Sequence, residues 1–136
     1  MIKVAINGFG RIGKLVFRAI IEKNLKNVQI VAINELGSLE SSLHLVNFDS
    51  THGELKTKLY KSNKGIKYNN KNIIFCSERD PAKLPWKKLG IDIVLECSGV
   101  FTSKEKSQSH IIAGAKKVII SAPATNVDAT IVQGVN

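Results

Sequence analysis

Hydrophobic residues recur at two different spacings in the first third of this 136-residue chain, and each spacing predicts an element. Ile2, Val4 and Ile6 supply an apolar strand. Apolar residues then recur three or four positions apart, as on the buried side of a helix, at Ile12, Leu15, Val16, Ala19 and Ile20. The continuous apolar run 28–33 predicts a parallel strand that is buried on both faces.

Later segments continue the alternation of strands and helices. Leu39, Leu43 and Val46 predict a short helix, and Thr102 with Glu105 fits the capping box of another, which runs to Ala113. Apolar runs predict further strands at 91–97, 118–120 and 130–132. Two prolines, at 81 and 85, predict irregular structure before the first of these strands.

Residues 56–77 interrupt the alternation with short apolar runs separated by turns rich in Asn and Gly. Such runs predict two or three antiparallel strands. The predicted fold class is therefore α/β, a Rossmann-type doubly wound, mainly parallel sheet with an inserted antiparallel excursion at about residues 56–77.

A glycine motif lies between the first strand and the first helix. Gly8, Gly10 and Gly13 have the spacing G-x-G-x-x-G. We expect Gly8 to allow a tight turn, Gly10 to let the main chain approach a pyrophosphate, and Gly13 to let helix and strand pack closely. A surface turn without a ligand is the alternative for the motif alone.

An acidic residue follows the second predicted strand. Glu35 lies 22 residues beyond Gly13, where a carboxylate of a dinucleotide fold accepts from the adenosine ribose hydroxyls. It would repel a 2′-phosphate, and no arginine occurs in residues 36–42, so we expect NAD rather than NADP. Residues 8–13, 34–35, 98–99 and 121–122 are all expected at the carboxyl edge of the sheet, where ligands bind in open α/β folds.

The formal net charge is +9, and residues 56–88 hold ten basic residues against Glu78 and Asp80. These lysines are dispersed, which favours a solvated hairpin face over the alternative, an RNA-binding patch. Cys76 and Cys97 lack metal-ligand spacing, so we expect buried thiols and no metal site; a nucleophilic Cys97 is the alternative. The first strand contains Lys3 and no apolar segment approaches the length of a membrane span, which predicts a cytoplasmic protein with no membrane partner.

Several strings together resemble the amino-terminal half of phosphorylating glyceraldehyde-3-phosphate dehydrogenase. They are INGFGRIG at 6–13, DSTHG at 49–53, ERDP at 78–81, SGVFT at 98–102, GAKKVIISAP at 114–123 and GVN at 134–136. The resemblance covers essentially the whole chain, in order. Erythrose-4-phosphate dehydrogenase shares the fold and the residues 34–36 and is an alternative, as is a non-catalytic, stand-alone NAD-binding module.

The resemblance implies that the cofactor is NAD and gives each site residue a role. Backbone N–H groups of Arg11 and Ile12 would face the pyrophosphate, Arg79 would lie beside the adenine, and Ser121 would approach the nicotinamide half. The implied cofactor-binding set is Asn7, Gly8, Phe9, Gly10, Arg11, Ile12, Gly13, Asn34, Glu35, Arg79, Ser98, Gly99 and Ser121. Within it, Asn7 and Phe9 would shape the pocket.

The same resemblance implies that the catalytic cysteine, the histidine base and the sugar-phosphate site follow Asn136. Residues 1–136 are then an incomplete NAD-binding domain, and His44, His52 and His110 match no catalytic position. In the family, an aldehyde is oxidised through a thioester, hydride passes to NAD, and phosphate releases the acyl group. We expect this chain alone to be inactive and the full enzyme to be a homotetramer.

Overall fold

The computed structural model describes residues 1–23, 25–49, 53–54, 59–63, 65–68, 71–99 and 104–121, which are organised around a seven-stranded sheet. The strands of this sheet are β1 (Ile2–Asn7), β2 (Val28–Asn34), β5 (Tyr60–Ser62), β6 (Gly65–Tyr68), β7 (Lys71–Cys76), β8 (Ile93–Glu96) and β9 (Lys117–Ile120). Strands β3 (Phe48–Asp49) and β4 (Gly53–Glu54) form a separate two-stranded pair. The helices are α1 (Arg11–Lys23), α2 (Leu39–Asn47), α3 (Trp86–Leu89) and α4 (Lys104–Ile112).

The strand order is β5-β6-β7-β2-β1-β8-β9. Strands β7, β2, β1, β8 and β9 are all parallel to one another, whereas β5 and β6 join this sheet by antiparallel pairing. The predicted fold class is confirmed. Strand β7 belongs to both parts, since it pairs antiparallel with β6 and parallel with β2, so the excursion extends one edge of the main sheet.

Each face of the sheet has its own apolar cluster. On one face, Ile6 and Ile33 pack with Phe17 of α1 and Val46 of α2. On the other face, the small side chains of Ala5 and Ala32 lie in one cluster with the fully buried Trp86. Helices on both faces are what a doubly wound sheet requires, because its central strands are buried on both sides.

The segment with the two prolines is more regular than the sequence predicted. Pro81–Lys83 form a 3₁₀ turn, in which the Asp80 side chain accepts from the Ala82 N–H at 3.1 Å. Helix α3 follows and ends at Gly90, whose φ is +68°. A four-residue helix is too short to show a hydrophobic period, so our prediction of an irregular segment was wrong here.

For most of the other elements, the observed ends differ from the predicted ends by one or two residues. The strand predicted at 91–97 is limited to Ile93–Glu96, while helix α4 ends at Ile112 before Gly114, which has a φ of +117° and suits the predicted stop. The capping residue Thr102 and the strand predicted at 130–132 lie outside the described residues. None of the helices in the described ranges is long and apolar enough to cross a membrane.

Candidate functional site

Polar residues end three neighbouring strands at the carboxyl edge of the sheet. Asn7 of β1 lies in register with Asn34 of β2 on one side and with Glu96 of β8 on the other. The outer strands β7 and β9 continue this row, since Cys76 pairs with Asn34 and Ile120 with Glu96. The structure therefore brings the loops that begin at residues 8, 35, 77, 97 and 121 to one edge.

Two of the three motif glycines are required by protein contacts. Gly8 has a φ of +91°, and a Cβ there would lie 2.6 Å from the backbone N of Ser98. A Cβ on Gly13 would lie 2.2 Å from the carbonyl oxygen of Gly8. Both distances are far below van der Waals contact, so these positions fix the turn and the approach of α1 to it.

Gly10 differs from both. A Cβ on Gly10 would meet no described atom within 4 Å, and its φ is not in the left-handed region. Gly10 is also exposed at the start of α1, where the first N–H groups of the helix point outward. Packing among the described residues thus gives no reason for glycine here, whereas a ligand lying against the main chain would.

Glu35 joins the end of β2 to the glycine loop. Its Oε1 accepts from the Phe9 N–H at 2.8 Å, and its Oε2 accepts from the Gly37 N–H at 2.8 Å. The Gly8 N–H donates to the carbonyl oxygen of Asn34 at 2.8 Å. Glu35 is only partly buried, so its carboxylate presents negative charge beside the loop while it holds the loop in place.

Lys14 is a cation at this loop that sequence reasoning did not single out. Its Nζ donates to the Phe9 carbonyl oxygen and lies 5.1 Å from the centroid of the Phe9 ring. Burial lowers the pKa of Lys14, and the nearby Glu35 charge opposes that shift. The amino terminus of helix α1 is positive, and no acidic residue in its first turn offsets that charge. Lys14 adds a further positive charge, and together they favour an anion at this loop.

Asn34 fastens the loop after β7. Its Nδ2 donates to Asn7 Oδ1 at 2.7 Å and to the Glu78 carbonyl oxygen at 2.9 Å, and its Oδ1 accepts from the Glu78 N–H at 2.9 Å. Both N–H donors of the amide are therefore engaged by the protein. Asn34 fixes the backbone that precedes Arg79, whose side chain is exposed.

A buried polar chain continues from Asn7 into the other face of the sheet. Asn7 Nδ2 donates to Glu96 Oε2 at 2.7 Å, and His110 Nε2 lies 2.6 Å from the same oxygen. Trp86 Nε1 donates to His110 Nδ1 at 3.0 Å. Because the indole N–H is always a donor, Nδ1 of His110 accepts and Nε2 carries the proton, which makes this imidazole neutral.

Glu96 is the acidic residue in this row of hydrogen-bonded side chains, and it is 1% exposed. Its Oε1 accepts from the Ser98 N–H at 3.0 Å and also from the Ser98 hydroxyl. Burial by itself would raise the pKa of Glu96, but the hydrogen bonds from His110, Ser98 and Asn7 outweigh it and hold that pKa below its usual value. Sequence reasoning missed Glu96, His110 and Trp86; the available signal was a glutamate at the end of an otherwise apolar strand.

The remaining predicted site residues lie around this edge. Arg11 and Ile12 are exposed in the first turn of α1, Gly99 is exposed with a φ of +76°, and the Ser121 N–H donates to the Glu96 carbonyl oxygen at 3.0 Å. Cys76 and Cys97 are unpaired and half-buried, and burial raises the pKa of both thiols. In the described parts of the chain, no group of three or more His, Cys, Asp or Glu side chains suits a metal ion.

Two histidines and the basic segment that the sequence analysis singled out do not belong to this edge of the sheet. His44 is exposed on α2, with its ring 5.3 Å from that of Phe48, and His52 lies outside the described ranges. In the basic segment, Lys61, Lys67 and Lys71 are exposed, and Lys61 Nζ lies 2.7 Å from Glu40 Oε1.

A doubly wound sheet with a glycine turn, a helix amino terminus and an acidic residue after the second strand defines a dinucleotide-binding domain. Residues 2–104 match the family described as "Glyceraldehyde 3-phosphate dehydrogenase, NAD binding domain". The chain belongs to this family of NAD-binding domains.

Curated relatives extend the likeness to almost the whole chain. The chain is 50% identical over 135 residues to glyceraldehyde-3-phosphate dehydrogenase of Xanthobacter flavus, which covers 99% of this chain and 40% of the relative. It is 51% identical over 136 residues to the Zymomonas mobilis enzyme of the same name, and the match covers 99% of this chain and 40% of that relative. For the Thermotoga maritima enzyme the identity is 47% over 136 residues, covering 100% and 41%. The chain thus spans about two fifths of the length of these relatives.

Proposed function

We propose that residues 1–136 are the NAD-binding part of a phosphorylating glyceraldehyde-3-phosphate dehydrogenase. The observation that carries this proposal is the glycine loop, where Gly8 and Gly13 are fixed by protein contacts and Gly10 leaves open space in front of the helix amino terminus. The pyrophosphate of NAD would lie in that space, against the N–H groups of Arg11 and Ile12. Phe9, Asn7 and Asn34 would shape the pocket from beneath.

Glu35 would select NAD over NADP. Each of its carboxylate oxygens accepts one backbone N–H, which leaves lone pairs for the adenosine ribose hydroxyls. A 2′-phosphate would meet the same negative charge at close range, so NADP is disfavoured. Arg79 would lie beside the adenine, Ser98 and Gly99 beside the adenosine, and Ser121 near the nicotinamide.

For the whole protein, we propose oxidation of an aldehyde of a sugar phosphate through a thioester, with NAD taking the hydride and phosphate releasing the acyl group. The names of the relatives favour glyceraldehyde 3-phosphate over erythrose 4-phosphate. The sugar phosphate, the nucleophile and the base belong to the part of the enzyme outside these residues, so the 136-residue chain would bind NAD without turning over substrate. A cytoplasmic homotetramer is part of the same proposal and rests on family resemblance.

Calorimetric titration of the purified chain tests the binding proposal. We expect saturable binding of NAD and affinity for NADP that is at least about tenfold lower, which corresponds to roughly 1.4 kcal/mol. Absence of binding at millimolar NAD would refute the assigned site. An assay with glyceraldehyde 3-phosphate, phosphate and NAD is a separate test, since turnover would refute the proposal that the catalytic groups lie outside the chain.

A further inference from the structure

The carboxylate of Glu96 accepts hydrogen bonds from three segments, two of which lead into loops of the proposed NAD site. It accepts from Asn7 in β1, from Ser98 in the loop after β8 and from His110 in α4. Through Asn7 it is linked to Asn34 at the end of β2, and Asn34 in turn holds the backbone of Glu78. Glu96 therefore contacts the strand that leads into the glycine loop and the loop at residues 98–99 directly. It is linked through Asn7 and Asn34 to the loops that begin at residues 35 and 77.

From this arrangement we propose that Glu96 is a positioning residue for NAD, and that His110 acts with it by holding the carboxylate in one orientation. The proposal rests on the NAD site proposed above. Glu96 does not itself reach the coenzyme in this account, since it is 1% exposed and lies under the loops. It sets the distance between Gly8 and Ser98, where the two backbones are so close that a Cβ on Gly8 would lie 2.6 Å from the Ser98 Cα.

The donors around Glu96 leave one acceptable protonation pattern. Asn7 Nδ2, the Ser98 N–H and the Ser98 hydroxyl point their hydrogens at the carboxylate, and so does His110 Nε2, because its Nδ1 is occupied by the Trp86 N–H. A carboxylate is acceptor-only and satisfies all of them. A glutamine of the same shape cannot, because either orientation of its amide directs N–H groups at N–H donors.

The first test compares Glu96→Gln with Val94→Ala in the whole 136-residue chain. Val94 is fully buried on β8, two residues before Glu96 on the same face of the sheet, and takes no part in the polar chain. Its truncation removes two buried methyl groups and destabilises the strand, so it controls for general loosening of the strand. Unfolding is followed by the emission of Trp86, the single tryptophan of the chain, and NAD binding by calorimetry.

We expect Glu96→Gln to raise the Kd for NAD about tenfold or more, and Val94→Ala to leave it within about twofold of the wild type. Equal NAD affinity in the two variants would overturn the positioning role while leaving the NAD site itself intact. A wild-type chain that does not bind NAD would instead refute the proposed site, and the positioning role with it.

A second pair decides the matter if Glu96→Gln does not fold. In His110→Gln the side-chain amide can still donate to Glu96 Oε2, whereas His110→Phe keeps a ring and removes the donor. Both variants remove His110 Nδ1, which is the acceptor of the Trp86 N–H in the wild type. The proposal expects His110→Gln to bind NAD more tightly than His110→Phe by about fivefold or more. Equal affinities in these two variants would overturn it.

Discussion

The Phe9 N–H donates to Glu35 Oε1 at 2.8 Å. This hydrogen bond joins the glycine loop to the residue that we propose binds the adenosine ribose. The two residues are 26 positions apart in the chain. One carboxylate thus fixes the loop conformation and supplies the charge that we propose for discrimination between NAD and NADP. These two roles are separable by mutation, since the first needs an acceptor and the second needs the charge.

Glu35→Gln is expected to weaken discrimination against NADP. The amide oxygen can still accept from Phe9, and the Gly37 N–H, which donates to Oε2 in the wild type, is exposed and can donate to water instead. The negative charge that repels a 2′-phosphate is removed. Calorimetry with both coenzymes should show a ratio of NADP to NAD dissociation constants that falls about tenfold. Glu40→Gln is the matched control, because Glu40 is exposed on α2 and pairs with Lys61. An unchanged ratio in Glu35→Gln would contradict the assigned role.

Gly10→Ala and Gly13→Ala should have opposite signatures. Gly10 has open space at its Cβ position, so we expect a change in unfolding free energy within about 0.5 kcal/mol and a loss of NAD affinity of about tenfold. At Gly13 the new Cβ would lie 2.2 Å from the Gly8 carbonyl oxygen, so we expect destabilisation of about 2 kcal/mol or more. Urea unfolding and NAD titration measure both quantities. A Gly10→Ala chain that binds NAD like the wild type would count against a phosphate at this loop.

Lys14→Met should weaken NAD binding and reduce its dependence on salt. Lys14 is held at the loop by the Phe9 carbonyl oxygen, and its charge adds to that of the helix amino terminus. We expect the Kd to rise about threefold to tenfold at low ionic strength and the difference from wild type to narrow in high salt. Lys23→Met, at the exposed far end of the same helix, is the control and should bind NAD as the wild type does. Identical salt dependence of NAD binding in both variants would show that the charge of Lys14 does not contribute to NAD binding.

Acid should remove the stability that Glu96 contributes. The folded state holds the pKa of Glu96 below the ordinary value of 4.5, so the unfolded chain takes up this proton at higher pH than the folded chain does. The contribution is therefore complete above the unfolded pKa and is lost as pH falls through the folded pKa. Urea unfolding of wild type and Glu96→Gln from pH 7 to pH 3 should show a gap in unfolding free energy that narrows with acid. A gap independent of pH would mean that Glu96 is not ionised in the folded protein.

The strands of the seven-stranded sheet, the glycine loop and the position of Glu35 followed from local features of the sequence, whereas the separate pair of β3 and β4 was not predicted. Apolar spacing identifies β1 and α1 directly, and the distance from Gly13 to Glu35 is set by one strand-helix-strand unit. Antiparallel strands between residues 60 and 76 were also predictable, because the short apolar runs there alternate with Asn- and Gly-containing sequence that favours tight connections. What was not predictable is its attachment, with β7 parallel to β2, since pairing partners are determined by tertiary packing.

The polar chain under the site lay beyond sequence reasoning for the same physical reason. Asn7 and Glu96 are 89 residues apart, and Trp86 and His110 are 24 apart, so no local pattern joins them. The sequence alone does not distinguish Lys14 from the other lysines of the chain. Helix α3 was missed because four residues cannot display a period. The hydrogen bonds of these residues are made by contacts between distant segments, which only the folded structure shows.

The most direct test of the central claim is a titration of the isotopically labelled chain with NAD, followed by backbone amide NMR shifts. We predict that the largest changes occur at residues 8–13, 35, 79, 98–99 and 121, all at the carboxyl edge, while the amides of residues 26–29 and 71–73 at the opposite edge change little. Largest shifts at that opposite edge, or no shift at the glycine loop at saturating NAD, would contradict the account.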